Sequence, residues 1–130
     1  MSIQPELPLR VSGTFHYDEG YYYFRDYYGK LIFGGGRNVD IEAEQTDVFG
    51  INEDIKSKLI ADVEEIILPN QAYTIEDIWS GIMAFGQNKA PIIEKISENL
   101  VIGVRLGGMG VAIGSLVGEE LTNMLLDLDG

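Results

Sequence analysis

The feature that most constrains this chain is an aromatic run near its start, cut at short intervals by glycine. From Val11 to Tyr17 the residues Val11, Gly13, Phe15 and Tyr17 alternate, which predicts a half-buried strand. Asp18-Glu19-Gly20 supplies turn chemistry, and Tyr21 to Asp26 follows as a second strand of aromatics suited to a pleated surface. Tyr27-Tyr28-Gly29-Lys30 predicts another turn, and Leu31-Ile32-Phe33 a third strand that ends in Gly34-Gly35-Gly36. The outcome is an antiparallel meander. Alternation places Tyr21, Tyr23 and Arg25 on one face and Tyr22, Phe24 and Asp26 on the other. One face is expected to pack on a helix. The other presents phenol hydroxyls and a guanidinium, the mix of apolar area and donors found in a ligand-binding wall.

Residues 1–10 are polar with Pro5 and Pro8 and read as an extended lead-in; residues 37–51 read as a loop. From Glu53 to Leu68, Ile55, Leu59, Val63, Ile66 and Ile67 recur at helical spacing. Asn52 caps this amphipathic helix and Pro69-Asn70 ends it. Ala72 to Phe85 predicts the longest strand, Pro91-Ile92-Ile93 a short edge piece, and Leu100 to Gly103 a buried strand. A last helix is expected over about 110–126, with Ile113, Val117, Leu121, Met124 and Leu125 on one face and Gly110, Gly114 and Gly118 on another. The fold class is α+β: one mainly antiparallel sheet, an amphipathic helix packed on it, and a C-terminal helix.

Charge and composition exclude several functions. Nine Lys+Arg against 21 Asp+Glu give a net charge of −12, which repels nucleic-acid phosphates. Glycine and acidic residues interrupt every apolar run short of the ~18 residues that a membrane span needs. Residues 1–20 lack the pattern of a signal peptide, and the absence of Cys favours a cytoplasmic location. A single His16 without Cys builds no metal cluster, so it reads as structural, and the acids of residues 40–47 lack calcium-loop spacing. No nucleophile elbow is present, so no catalytic residue is named.

The strongest local motif is the stretch Gly103-Val104-Arg105-Leu106-Gly107-Gly108-Met109-Gly110-Val111-Ala112-Ile113-Gly114. It reads as a strand, a glycine-rich turn and a helix start, where backbone N–H groups gather at the positive end of the helix dipole. It is not the dinucleotide fingerprint, because from Gly108 it runs Gly-x-Gly-x-x-x-Gly. Close helix packing through the glycine stripe explains it equally well.

Taken together, Tyr21-Tyr22-Tyr23-Phe24-Arg25, Gly29 to Gly35, Trp79-Ser80-Gly81-Ile82, Pro91-Ile92-Ile93 and Gly107 to Ile113 resemble, in order, the D-amino-acid oxidase and glycine oxidase-like flavoenzymes. The resemblance covers about residues 20–126. It implies FAD-dependent oxidation of a C–N bond in an amine or amino acid, by hydride transfer to the flavin. The imine product is then hydrolysed and an acceptor such as oxygen reoxidises the flavin. It also implies that residues 1–98 are the substrate-domain sheet with helix 52–68, and that 99–130 close the FAD-binding domain. Substrate would then meet Tyr21, Tyr23, Met83, Arg105 and the Gly108 carbonyl, with the Tyr21 hydroxyl offered to a substrate carboxylate. Gly107, Gly108, Met109, Gly110, Val111 and Ala112 would face the flavin edge.

The chain departs from the family twice. Met83 stands where amino-acid oxidising members place an arginine that pairs with substrate carboxylate, leaving Arg25 and Arg105 as the nearby cations. No Gly-x-Gly-x-x-Gly unit for the ADP portion of FAD occurs in the 130 residues. The expectation is therefore a C-terminal fragment of a flavoenzyme, inactive alone, that pairs with a Rossmann-type N-terminal half and carries an apolar last helix prone to self-association. The rival expectation is a non-catalytic binding module that grips a small ligand on its Tyr-lined sheet.

Overall fold

A computed structural model of the chain describes residues 1–126; residues 127–130, which end the expected closing segment, lie outside the described residues. The chain divides into two compact units, Met1–Gly81 and Ile82–Gly130.

The first unit is a five-stranded antiparallel sheet with a helix on one face. Its strands are β1 (Ser2–Pro5), β2 (Thr14–Tyr17), β3 (Tyr22–Tyr27), β4 (Lys30–Gly35) and β5 (Tyr73–Asp77), in spatial order β2-β3-β4-β1-β5. The expected meander is present as β2-β3-β4. Tyr28 and Gly29 both take positive φ (50° and 83°) between β3 and β4, the two-residue turn whose twist matches the flanking strands. The expected lead-in is instead strand β1, set between β4 and β5. Met1 and Ile3 are buried, and the Met1 amino group donates to Phe33 O at 2.7 Å. Two prolines disguised this strand, but Pro5 occupies its last position, where a missing N–H costs least.

Helix α1 (Glu53–Asp62) begins as expected, with Asn52 Oδ1 accepting from the Asp54 and Ile55 amides at 3.1 and 3.3 Å. Its continuation, Val63–Ile67, widens into a π-helical turn that Leu68 closes by donating to Val63 O at 2.7 Å. Ile55, Leu59, Val63 and Leu68 meet Met1, Ile3, Tyr22, Leu31 and Phe33 in one core. The ring stacks Phe15–Phe24 and Tyr17–Tyr22, each with centroids 4.8 Å apart, extend that core onto β2.

A buried carboxylate ties the helix to the sheet. Asp62 is 1% exposed; it accepts from the Tyr17 hydroxyl at 2.9 Å and from the Lys58 ammonium. Burial and then the bond to Asp62 push the Tyr17 phenol well above its ordinary range, while that carboxylate's hydrogen bond raises Lys58.

The expected strand over 72–85 stops at Asp77; residues 78–91 form no strand, although Ile78, Trp79 and Ile82 carry high strand propensity. Gly81, Gly86 and Pro91 punctuate this stretch, and propensity without a pairing partner does not hold a strand.

The second unit contains a hairpin, β6 (Ile92–Ser97) with β7 (Leu100–Val104), and helix α2 (Gly110–Leu126). The hairpin is a separate two-stranded sheet, so the single sheet expected from sequence is in fact two. Gly103 lets α2 sit close on β7: a Cβ there would lie 2.7 Å from Val117 Cγ1 and 2.8 Å from Leu121 Cδ1. Val117 is the buried residue of the helix, whereas Val111 and Leu116 stand exposed. Among the described residues, no helix is long and apolar enough to cross a membrane.

Candidate functional site

In the first unit, the sheet face opposite α1 is the candidate wall. Pairing sets Tyr23 between His16 on β2 and Gly34 on β4, and Arg25 between Thr14 and Ile32. Tyr23 is about half exposed and lies across Gly34, where an added Cβ would come within 2.8 Å of its hydroxyl oxygen. The His16 ring is 6.2 Å from that of Tyr23. Arg25 sits 5.7 Å over Tyr27 and donates through Nε to Asp26 O at 3.2 Å. A phenol, an imidazole and a guanidinium therefore share one open surface, able to donate to anions and to stack on apolar groups.

Tyr21 departs from the expected alternation. It precedes β3 in a right-handed helical conformation (φ −68°, ψ −25°), so strand periodicity does not carry it to the face of Tyr23. Its ring packs against the core, with the Arg37 guanidinium 5.9 Å from its centroid. The tight turn through Asp18 and Glu19, both at positive φ, delays the strand by one residue. His16, which reads as structural from sequence, falls opposite Tyr23 once β2 and β3 pair across the Asp18–Gly20 turn.

In the second unit, the glycine turn opens α2 as the motif predicts. Gly107 and Gly108 have φ of 56° and 82°, and nothing lies within 4 Å of a Cβ added at Gly107. Met109 donates to Leu106 O at 2.9 Å, which folds the turn onto itself. Ala112 and Ile113 both donate to Met109 O, at 2.9 and 3.0 Å. The Ala112 amide is thus committed within the helix start, and Gly110 and Val111 are the first-turn donors that precede it. Met109 and Val111 present exposed side chains.

Two further expected residues converge on this turn. Met83 reaches Gly108, where a Cβ would stand 3.2 Å from its Sδ. Arg105, at φ 60°, turns its guanidinium to the loop 86–90: Nη2 donates to Asn88 Oδ1 and Ala90 O, both at 3.0 Å, and Nε to Ala90 O at 3.3 Å. The structure thus gathers Met83, Arg105, Gly107, Gly108, Met109, Gly110, Val111 and Ala112 in one unit, while Tyr21 and Tyr23 belong to the other.

No curated protein and no solved structure was found to match the chain. A family model described as FAD dependent oxidoreductase matches residues 2–124, nearly the whole length. The chain belongs to the family of FAD-dependent oxidoreductases.

Proposed function

We propose that this chain supplies the substrate wall and the flavin-edge turn of a flavoenzyme that oxidises a C–N bond. The observation that carries the reading is the bare glycine turn at the start of α2, in a chain whose family is FAD-dependent. The residues fit one part of that cofactor. Positive-φ glycines keep side chains off the turn, and the first-turn amides at the positive helix end suit an electron-rich ring edge. They do not fit the ADP portion, for which these residues hold no Gly-x-Gly-x-x-Gly. A Rossmann-type half is the complement this reading requires, and the exposed Val111 beside Gly114 and Gly118 gives it a side-chain-poor helix face to cover.

FAD, when bound, supplies the two-electron acceptor. The chain's own residues bind and orient: the Gly108 carbonyl accepts from the substrate amine, and apolar surface around Met83 and Met109 excludes water. The test is co-expression with a flavin-binding half. Amine-dependent hydrogen peroxide from the pair, and none from either half, supports the proposal; a pair that holds FAD yet turns over no amine defeats it.

A further inference from the structure

We propose that Arg105 is a positioning residue, a latch that holds residues 82–91 onto the glycine turn and thereby sets the Met83 thioether, not a cation, beside Gly108. The assignment of Gly108 as substrate-facing rests on the flavoenzyme reading above; the latch itself does not.

Three observations meet at this side chain. Its Nε and Nη2 donors are spent on Ala90 O and Asn88 Oδ1, a forked geometry that fixes two positions of the loop at once. Its guanidinium lies flat on Gly86, where a Cβ would fall 2.5 Å from Nη1 and 2.6 Å from Cζ. Its backbone holds φ 60°, uncommon for a residue with a side chain, and this aims it at the loop just before the chain enters Gly107-Gly108. Met83 against Gly108 is a further anchor of the loop. Residues 81–90 are otherwise exposed, so little apolar burial fixes this segment.

The consequence is chemical. With its donors turned to the loop, Arg105 does not offer a bidentate site to a substrate carboxylate, and the group facing Gly108 is a polarisable thioether. The substrate class that fits is an amine whose substituent at this point is apolar.

The test uses the chain itself. Trypsin cleaves after Lys89, inside the latched loop. Arg105→Gly suits the positive φ, so it removes the guanidinium while relieving the backbone; Gly86→Ala removes the seat and leaves the guanidinium. Both are expected to raise nicking at Lys89–Ala90 about tenfold. Methylguanidinium should restore resistance to Arg105→Gly but not to Gly86→Ala, a distinction that general loosening of the fold does not produce. In the same samples, the Met83 methyl resonance should move to its random-coil position in Arg105→Gly. Unchanged nicking, absent or indiscriminate rescue, or an unmoved Met83 resonance would each overturn the latch. These readouts need no flavin, so their failure is separable from failure of the flavoenzyme reading.

Discussion

Two adjacent glycines of β4 give a sharp test of how the open sheet face is built. Adding one methyl group at Gly34 or at Gly35 is the same chemical change with opposite surroundings. At Gly35 the backbone φ is 114°, and the new Cβ would lie 2.0 Å from the Tyr21 carbonyl oxygen, which is backbone and accepts from Gly36 N at 2.9 Å. The strained conformation costs about 1–3 kcal/mol and the forced displacement about 1–3 kcal/mol more. Gly35→Ala should therefore lose roughly 2–6 kcal/mol, a large part of a stability of about 5–15 kcal/mol. At Gly34 the new Cβ meets the far end of the half-exposed Tyr23 ring, 2.8 Å from its hydroxyl oxygen, and that ring can swing outward. Loss of unfolded-chain entropy on replacing glycine offsets part of the cost, so Gly34→Ala should change stability by less than about 1 kcal/mol. Urea unfolding followed by far-UV circular dichroism measures both variants. If the two midpoints fall together, the assigned register of β3 on β4 and the placement of Tyr23 are wrong.

Other expectations follow from the same geometry. The Tyr17, Tyr22 and Tyr73 phenols and the Lys58 ammonium all hold their protons above their ordinary ranges, so the folded chain keeps protons that the unfolded chain releases. The contribution of these four groups should be level below about pH 9 and fall as pH rises past 10, with Tyr17→Phe reducing the slope by about 1.4 kcal/mol per pH unit in urea titrations. Gly103→Ala places its Cβ 2.7 Å from Val117 Cγ1, and should cost about 1–3 kcal/mol by lifting α2 from β7, read as early loss of helical signal on heating. Met83→Arg should shift the preference of the assembled enzyme toward amines that bear a carboxylate, with kcat/KM rising at least about tenfold for those relative to plain amines.

What sequence could disclose follows from which interactions are local. Helix α2 was legible because a glycine turn, a helix dipole and a regular apolar spacing all act within one segment, and it spans Gly110–Leu126 as expected. Asn52 was legible for the same reason, since its cap involves amides only two and three residues away. Strand β1 was not, because its partners Ile32 and Ile75 lie far along the chain and its prolines argue for a loop. The stretch 78–85 erred the other way: β-branched and aromatic residues promised a strand that no neighbour pairs. At the site, the motif Gly107-Gly108-Met109-Gly110 was plain, but the use of Arg105 by Asn88 and Ala90 depends on a loop fold that spacing does not encode. His16 illustrates the same limit, since only strand register reveals Tyr23 as its neighbour.

The most direct test of the central claim is anaerobic titration of the chain, assembled with its flavin-binding half and FAD, against simple amines and amino acids. Bleaching of the flavin's visible band by an amine is the expected result. A flavin that stays oxidised with every amine, in an assembly that holds the cofactor stoichiometrically, would contradict it.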